Sequence, residues 1–472
     1  MYSDRRPRQG SIVLVLALAG MCSSFMFTLV VPIQARLPEL LDSPRHDTAW
    51  VVTATLLSAA VITPIAGRLG DMYGKRRVIL GLIAAMVLGS VIAALSQEII
   101  GIVIGRSFQG AIVGAVPLGI SIMRDVLHTD RVNAAVAFMS ATLGMGGALG
   151  LPISAIVTQT LDWHMLFWMA AILGTVVFVL VLLVVPVSVL RTGGRFDVIG
   201  TIGIAVGLVA LMLAISRGNE WGWTSLWTMG LGLGGIVVLV LWGVYELRVE
   251  DPLLDLRVAS RPSVLLTNIA SVAIGFALFA SNVIYPQLLE LPIGSGVGFG
   301  LSLLASSLIV MPSGLMMLLL SPVAGRIGTR AGPKLLMIIG TAALTLAYGF
   351  TMFFMTEVWH IFIANVLVGV AIGFGYASMP MLIMRSVPHT ETGASNGLNA
   401  LFRSIGTATA AALVAAVLAG YSVDFQGVEV PTAHGIRLAL VLGGGAALVA
   451  LLTASFIPAR PAPGERSPSL PV

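Results

Sequence analysis

The sequence predicts an all-α integral membrane protein that crosses the bilayer fourteen times. Hydrophobic residues make up 57% of the 472 residues, charged residues make up only 10%, and the mean hydropathy is +0.99. Soluble domains are about 25% charged, so a soluble enzyme is excluded. The number of spans follows from the apolar runs, and their orientation follows from the charges between them.

Fourteen apolar runs are long enough to cross the hydrocarbon core, which takes about 20 helical residues. The first run follows a basic segment but has no small-x-small cleavage site, so we expect an uncleaved span rather than a signal peptide. The predicted spans, numbered 1 to 14, are 11–33, 48–66, 78–96, 98–121, 132–157, 165–186, 197–216, 225–246, 263–288, 299–320, 334–355, 358–384, 393–419 and 436–457.

The charges between the spans predict the orientation. With the N-terminus inside, 20 of the 26 Lys and Arg residues fall in inner segments. Because cytoplasmic loops are enriched in Lys and Arg, both termini should be cytoplasmic in a multi-pass protein of the cell membrane. The net charge of +5 is then a topology signal, and no nucleic-acid partner is expected. The outer segments carry Arg36, Arg45 and Arg217, and the spans or their edges carry Arg106, Arg403 and Arg437.

The strongest local signal is the stretch Gly67–Arg77, which reads GRLGDMYGKRR and lies between spans 2 and 3. Its three glycines and four cations predict a tight polar turn at the cytoplasmic face rather than a helix interior. Within it, Asp71 can accept backbone N–H groups at the start of a neighbouring helix and pair with Arg124 or Arg131. Such a contact would join two parts of the molecule in one conformational state and break in another.

A second stretch repeats this layout. Residues 321–334 read SPVAGRIGTRAGPK and match TPIAGRLGDMYGKR at 63–76, with Thr329 in place of Asp71. This weak internal repeat predicts two related six-span halves with a binding site at their interface. The predicted organisation is a cytoplasmic N-terminus 1–10, an N-terminal bundle 11–190, a linker with two inserted spans 191–262, a C-terminal bundle 263–457 and a cytoplasmic tail 458–472.

These motifs and the twelve core spans with a central pair resemble the major facilitator superfamily. The similarity is to its fourteen-span drug/proton antiporter branch, the EmrB/QacA type, and it covers essentially the whole chain. Gly67, Asp71, Gly74 and Arg76 match the signature Gly-x-x-x-Asp-x-x-Gly-Arg-Arg, and 106–110 (RSFQG) resembles the branch's Arg-x-x-Gln-Gly motif. The resemblance implies a major facilitator fold and a proton-coupled exporter in which the buried arginine takes part in coupling.

In span 5, Gly144, Gly147, Gly150 and Pro152 resemble the Gly-x-x-x-Gly-Pro motif of exporters, with Leu151 as an extra residue before the proline. The glycines recur every three residues, so we expect one helical face that lets another helix approach closely. We favour a contact inside a monomer, and a dimerisation face is the competing interpretation.

Span 1 departs from the branch, because the position of its usual aspartate is Ser23 here. No acid lies near the middle of any span, so another group must carry protons if the chain couples to them. The candidates for proton coupling and gating are at the span ends or in span 4. They are Arg106, Asp71, Arg76, Asp125 and Glu290, with Glu98 as a further acid near the outer face.

Each of these candidates also has a structural interpretation. A guanidinium in the bilayer costs at least ~2.5 kcal/mol, which favours a function for Arg106, but pairing with span-1 carbonyls would also keep it there. The acids can be interfacial, and Arg76 can be a topology anchor. Arg403 and Asn399 are expected to open span 13 at the cytoplasmic face, where they either gate or anchor.

The resemblance implies that spans 1, 4, 9 and 12 line the substrate cavity. Their polar, aromatic and Met side chains suit a small amphipathic organic substrate, although polar groups also join membrane helices. Without a buried acid, neutral or weakly charged compounds are favoured over cations. The candidates are Ser23, Ser24, Met26, Thr28, Gln109, Asn282, Tyr285, Gln287, Asn365, Tyr376 and Met379.

Other sources of activity find little support in the sequence. There is no Gly-x-x-x-x-Gly-Lys-Ser/Thr loop, so ATP should not drive the protein, and no cofactor is expected. The lone Cys22 and six dispersed histidines predict no metal site and no catalytic cluster. Two interpretations remain: proton-driven efflux of amphipathic compounds, or dedicated export of one endogenous metabolite or lipid with different or no proton coupling.

Overall fold

The computed structural model describes residues 9–30, 33–34, 36–187, 194–425 and 428–458. Within them, fourteen helices are long and apolar enough to cross a membrane, which confirms the predicted number of spans. They are α1 Gln9–Thr28, α2 Trp50–Tyr73, α3 Lys75–Leu95, α4 Ile99–Val126, α5 Thr129–Thr160, α6 Met165–Val184, α7 Val198–Trp221, α8 Leu226–Glu246, α9 Pro262–Glu290, α10 Leu303–Arg330, α11 Pro333–Phe353, α12 Val358–Ser386, α13 Thr392–Gly420 and α14 Ala433–Phe456.

Several smaller features accompany these helices. A 3₁₀ turn, Ala111–Gly114, interrupts α4, and Met311 interrupts α10 just before Pro312. The all-α prediction missed one antiparallel hairpin between α13 and α14, in which β1 (Ser422–Phe425) pairs with β2 (Val428–Pro431). Short helices cover Leu37–Leu40, Arg45–Thr48 and Leu256–Ala259, and 3₁₀ turns cover Ile293–Ser295 and His389–Glu391.

Some predicted limits fall outside the described residues. These are the N-terminal residues 1–8, the boundary at 190/191 and the tail from 459 onward. The domain limits therefore stay predictions.

Each half packs mainly around one apolar cluster, and the first cluster extends to Ala324 and Phe374 of the other half. Helices α1 and α3–α6 surround one cluster that includes Leu16, Ile83 and Phe167. Helices α9–α12 and α14 surround a second cluster that includes Ile284 and Leu344. Two such bundles joined along shared helix faces provide an interface at which a ligand can bind.

The stretch Gly67–Arg77 is mostly helical, so the predicted turn is wrong. Helix α2 continues to Tyr73, and only Gly74, with φ +108°, breaks it before α3 begins at Lys75. A positive φ strains other residues, so one glycine there is sufficient for the break. Gly67 serves a different purpose, because a Cβ there would lie 2.8 Å from the carbonyl carbon of Gly393.

Two pairs of helices join the halves. Helix α2 packs along α13, and α5 packs along α10; we call these contacts the 2/13 seam and the 5/10 seam. Since α10 repeats α2 and α13 is the counterpart of α5, the two seams are related by the internal repeat. We call the face that carries Gly74 the inner face, which the loop charges predict to be cytoplasmic.

The inserted pair packs on only one of these seams. Ile204, Leu208 and Met212 of α7 share an apolar cluster with Ala60 of α2 and Leu398 of α13. Helix α8 packs on α7 and otherwise has few buried residues. The insert therefore covers the 2/13 seam.

Side chains at the ends of α7 and α8 connect the insert internally. The Asp197 carboxylate accepts the backbone N–H of Gly200 at 2.8 Å and the Tyr245 hydroxyl at 3.1 Å. The Glu246 carboxylate accepts the N–H of Leu254 at 3.4 Å, in the segment that follows α8. Asp197 thus caps the start of α7, and the two acids join the ends of the insert's helices.

Candidate functional site

The inner end of the 2/13 seam holds a carboxylate that bridges the two halves. The Oδ2 atom of Asp71, on α2, accepts the backbone N–H of Ala394 at 2.9 Å. Ala394 is the third residue of α13, where unpaired N–H groups and the helix dipole favour a negative charge. Asp71 is only 2% exposed, so this contact is shielded from water.

A buried lysine forms ion pairs with this carboxylate and with a second one. The Nζ atom of Lys75 lies 2.5 Å from Oδ2 of Asp125 and 3.8 Å from Oδ1 of Asp71. Lys75 is 1% exposed, and the two carboxylates are almost equally buried. Where water is excluded, loss of one charge of an ion pair leaves the other charge buried without compensation, which breaks the contact. The pairing of Asp71 with Arg124 or Arg131 that the sequence suggested is wrong, since Lys75 takes that position.

Arg124 makes a separate bridge, to the end of α12. Its Nη2 donates to the carbonyls of Met384 at 2.6 Å and Val387 at 3.2 Å, and its Nη1 donates to the Thr392 hydroxyl at 2.5 Å. The last carbonyls of a helix carry its negative dipole end, which favours a cation. The N-terminal half thus presents a carboxylate to the start of α13 and a guanidinium to the end of α12. Arg131 instead donates to the Gln9 side chain at 3.5 Å.

The contact at the inner end of the 5/10 seam is a neutral hydrogen bond. The Asn133 amide donates to the Thr329 hydroxyl at 3.3 Å, in an exposed position. Thr329 is the residue that the internal repeat aligns with Asp71. Backbone packing is similar at both seams, because a Cβ at Gly325 would lie 2.8 Å from Cα of Ala134.

Two other gating candidates lie away from this network. The Arg76 guanidinium donates to the carbonyl of Leu182 at the end of α6, which is the anchoring role left open above. Glu290 is exposed at the last position of α9. The structure therefore brings Asp71 and Asp125 together and leaves Arg76 and Glu290 apart from them.

Sequence reasoning counted Lys75 only as a topology charge. The signal was the spacing of four residues between Asp71 and Lys75, which places side chains on one helix face. The predicted turn concealed this spacing. The acceptors of Arg124 are mostly backbone carbonyls, which carry no signature in the sequence.

Arg106 is fully enclosed in the N-terminal half, at 1% exposure. Its Nη1 donates to the Met26 carbonyl at 2.9 Å and to Gln109 Oε1 at 2.8 Å, and its Nε donates to the Val51 carbonyl at 3.2 Å. Gln109 in turn donates to the Ser90 hydroxyl at 2.8 Å. These bonds tie α4 to α1, α2 and α3, which is the helix-joining role.

The glycines of span 5 face two different neighbours. Gly144 packs against Met317 of α10, whereas Gly147 and Gly150 pack against Ser24 and Thr28 of α1. The expectation of a single face is wrong, because three residues turn a helix by about 300° and each glycine is rotated from the last. Pro152 follows within the same helix. All of these contacts lie within one chain.

The cavity candidates divide by burial. Six are at most 2% exposed and pack between helices, so they do not line a cavity in this conformation: Ser23, Met26, Gln109, Tyr285, Asn365 and Met379. Tyr285, for example, shares a hydrogen bond of 3.1 Å with Thr351 of α11. The substrate cavity itself stays a prediction. Helices that are apolar on all sides give the sequence no periodicity from which to tell a packing face from a cavity face. The others are half-buried or exposed: Ser24, Thr28, Asn282, Gln287 and Tyr376.

Arg403 lies deep in α13 and does not open it. It is the twelfth residue of Thr392–Gly420, about 17 Å from the helix start at 1.5 Å per residue. Its guanidinium carbon lies 4.8 Å from the ring centroid of Tyr376 on α12. The expectation that Arg403 sits at the cytoplasmic face is therefore wrong, because the span begins with small and polar residues that resembled a loop. Asn399, one turn earlier, is buried and donates to Asn268 at 2.9 Å and Ser271 at 2.7 Å.

Among the described residues, no group of three or more His, Cys, Asp or Glu side chains is placed to hold a metal ion. The buried charges at the inner face are instead paired with each other and with helix ends. Such an arrangement can hold two halves together and release them when a charge is lost.

The sequence profile of the Major Facilitator Superfamily matches residues 16–411 and, in an overlapping second match, residues 267–472. The chain belongs to the major facilitator superfamily. An MFS-type transporter of Mycobacterium tuberculosis is 27% identical over 417 residues, covering 86% of this chain and 59% of that protein. The chain thus spans about 59% of the length of that relative.

Other members of the superfamily match over nearly their full length. The lincomycin resistance protein LmrB of Listeria monocytogenes is 25% identical over 472 residues, covering 94% of this chain and 96% of that protein. The proton:xylose symporter XylE has the same fold, with a TM-score of 0.67 at 14% identity over 96% of this chain and 97% of that chain. This chain is therefore a multi-pass membrane protein with the fold of a transporter family.

Proposed function

We propose that this major facilitator protein is a secondary active exporter that uses a proton gradient to move amphipathic organic compounds by alternating access. The observation that carries the proposal is the buried charge network of Asp71, Lys75, Asp125 and Arg124 at the inner face. The name of LmrB, a resistance protein, supports export of drug-like compounds.

The network has the properties of a conformational latch. It joins the halves through a carboxylate at the start of α13 and a guanidinium at the end of α12, which favours the conformation closed at the inner face. Its strength should be a few kcal/mol, because a stronger latch would trap one state.

The same network is suited to sensing protons. Lys75 serves two carboxylates, so a proton on Asp71 or Asp125 removes one of its partners. Protonation of Asp71 also weakens the charge-assisted bond from the Ala394 N–H. We infer that protonation opens the inner face and that proton release there closes it again. Asp71 and Asp125 would then serve in place of a span-1 aspartate.

The test is transport in proteoliposomes with an imposed pH gradient, using radiolabelled lincomycin as the probe. We expect gradient-driven movement in the wild type and its loss in Asp125→Asn. If collapse of the gradient leaves the rate unchanged, proton antiport is wrong although carrier transport survives. If lincomycin does not move under any gradient, the proposed substrate class is wrong as well.

Asp162→Asn is the matched control for removal of a carboxylate. Asp162 lies in the loop before α6, and its side chain is 61% exposed. The backbone N–H of His164, at 2.8 Å, holds the pKa of Asp162 below its usual range. A lowered pKa means that the charge is present above the ordinary carboxyl range and is lost only as acid is added. We therefore expect this variant to leave the pH profile near neutrality unchanged.

A dedicated exporter of one endogenous metabolite or lipid is the second candidate. The observation that favours it is Ser23, which is buried in α1 where the antiporter branch carries an aspartate. Competition assays separate the two functions. Inhibition of lincomycin transport by chemically unrelated amphiphiles supports the first function, and inhibition by a single compound class supports the second.

A further inference from the structure

We propose that Arg403 and Tyr376 form a recognition point for an oxyanion, such as a carboxylate or sulfonate, on the transported compound. This inference rests on the transport function proposed above and adds that, among amphiphilic substrates, those that carry an acidic group bind more tightly.

The first observation is the depth of the charge. Arg403 lies about 17 Å along α13, about three turns from the start of this 29-residue helix and so well inside the span. A guanidinium at that depth is costly unless it has partners or faces water, so it marks a functional position. Arg403 is half-buried, which leaves part of its surface open to a ligand.

The second observation is that the protein provides no anion for it. Among the described residues, no carboxylate lies within 4.0 Å of Arg403 and no group accepts a hydrogen bond from its guanidinium. Its one close partner is the face of the Tyr376 ring. Stacking on an aromatic face leaves the five N–H groups at the edge of the guanidinium plane available.

Arg106, which also lies inside a span, differs from Arg403 in its hydrogen-bond partners. The Arg106 side chain is 1% exposed and donates to two carbonyls and an amide oxygen. Its hydrogen bonds offset the cost of burial within the protein. At Arg403 the corresponding donors have no acceptor in the described part of the chain, so an acceptor from the substrate would fill that place.

The third observation is that Arg403 is held in position. The side chain packs on the backbone of α9 at Gly275, where an added Cβ would lie 3.1 Å from the Arg403 Cγ. Gly406, one turn further along, packs against the backbone of Val272 in the same way. With its stem fixed by α9 and its head fixed by α12, the guanidinium loses little freedom when it binds an anion.

The fourth observation is that this pair lies where the two halves meet. The Tyr376 carbonyl accepts the Ser140 hydroxyl of α5 at 3.3 Å. The helix of Arg403 forms the 2/13 seam with α2. A group bound there contacts surfaces that move apart in alternating access. Its charge would therefore change the relative free energies of the two conformational states.

An oxyanion matches this chemistry better than a neutral polar group does. Carboxylates and sulfonates accept two parallel N–H bonds from a guanidinium, and charge-assisted bonds are about twice as strong as neutral ones. In a site partly shielded from water the preference for an anion should reach about tenfold in Kd, which is 1.4 kcal/mol.

Equilibrium binding with two matched fluorescent probes tests the proposal. Dansylglycine carries a carboxylate, and dansylglycinamide has the same fluorophore and a neutral amide. We expect the wild-type protein in nanodiscs to bind dansylglycine at least about tenfold more tightly. Arg403→Gln should remove this preference, and Arg403→Lys should keep part of it, because Lys retains the charge but not the two-pronged geometry.

Arg437→Gln is the matched control. Arg437 is exposed on α14, so its loss removes the same charge from the chain without removing the partner of Tyr376, and the preference should remain. If Arg403→Gln does not fold, the Lys variant and Tyr376→Leu, which removes the ring, replace it. An equal affinity of the wild type for both probes, or no binding of either, overturns the proposal. A preference that survives Arg403→Gln overturns it too.

Failure of this inference can be told apart from failure of the proposed function. Lincomycin, a weak base, has no carboxylate, so its gradient-driven transport tests the exporter function alone. Transport of lincomycin together with equal binding of both dansyl probes would reject only the anion site. If the wild type does not transport lincomycin, the exporter function is rejected. The binding preference is then judged from the dansyl probes alone.

Discussion

The 2/13 and 5/10 seams occupy equivalent positions in the two halves yet differ in charge. At the first, Asp71 contacts the Ala394 N–H in a buried position next to Lys75. At the second, Thr329 accepts a hydrogen bond from Asn133 in an exposed position. Helix α7 covers the first seam only.

The difference shows that the same fold can use both seams for helix packing and only one of them for a response to protons. Both seams have a glycine at the matching position, Gly67 and Gly325, and both bring helices close there. Only one adds charges whose partners are buried, and only charges respond to protons. The 5/10 seam is thus suited to guiding the motion, and the 2/13 seam to deciding when it happens.

Replacement of Lys75 should have the largest effect on transport, because Lys75 is part of the charge network at the 2/13 seam. Lys75→Gln removes the cation that pairs with the buried carboxylates of Asp71 and Asp125, which costs about 3–5 kcal/mol in the closed state. We expect a protein trapped open at the inner face, with gradient-driven transport reduced to background. Adding Asp125→Asn should restore part of the closure at the inner face, since it removes one of the two buried carboxylates that Lys75 serves, but it should not restore gradient-driven transport. Spin-label distances across the 2/13 seam in the single and double variants check this.

Asp71→Asn should have the next largest effect. The amide can still accept the Ala394 N–H, but the bond loses its charge, which costs about 1–1.5 kcal/mol, the difference between a charged and a neutral hydrogen bond. Transport should slow by roughly tenfold and should lose part of its dependence on the pH gradient. Thr329→Val, at the matching position, removes one neutral hydrogen bond and should change the rate less than about threefold. Equal effects of the two substitutions would show that the seams are energetically alike.

Substitution of the two matching glycines, Gly67 and Gly325, should have similar effects on transport, unlike substitution of Asp71 and Thr329. Gly67→Ala and Gly325→Ala each place a methyl group 2.8 Å from backbone atoms of the opposite helix, which should destabilise closure by about 1–3 kcal/mol. We expect both variants to slow transport without changing its pH profile. A shifted profile in either variant would mean that packing and proton sensing are not separate.

An ion pair introduced at the 5/10 seam should have the smallest effect on transport, and it tests whether an exposed charge pair can act as the buried one does. Thr329→Asp with Asn133→Lys gives the 5/10 seam opposite charges at its inner end. Because that site is exposed, the pair should add only about 0.2–1 kcal/mol of closure. Transport should slow slightly at low salt and recover in 1 M salt, where such pairs are screened. A change that salt does not reverse would point to altered packing.

The sequence predicted the spans well because the bilayer imposes length and polarity on every one of them. It located Asp71 and Asp125 but not the lysine between them, since the glycines of Gly67–Arg77 looked like a turn and only Gly74 breaks the helix. One such misplaced turn hid the spacing that joins Asp71 to Lys75.

Side-chain orientation within the spans was beyond the sequence. Tyr285 and Met379 are buried between apolar helices, where hydrophobic periodicity does not separate a cavity face from a packing face. Arg403 was placed at a membrane surface because the start of α13 is polar enough to look like a loop. Its depth emerged only from the full length of the helix.

Distances across both seams test the central claim most directly. In a Cys22→Ser background, spin labels at the exposed residues Tyr73 and Thr390 report on the 2/13 seam, and labels at the exposed residues Asp130 and Ala331 report on the 5/10 seam. We predict that Lys75→Gln lengthens both inner distances, because the halves move as bodies, whereas Thr329→Val lengthens neither. Opening of the inner face by Thr329→Val, or an unchanged distance distribution in Lys75→Gln, would contradict the conclusion that the charges of one seam hold the halves closed.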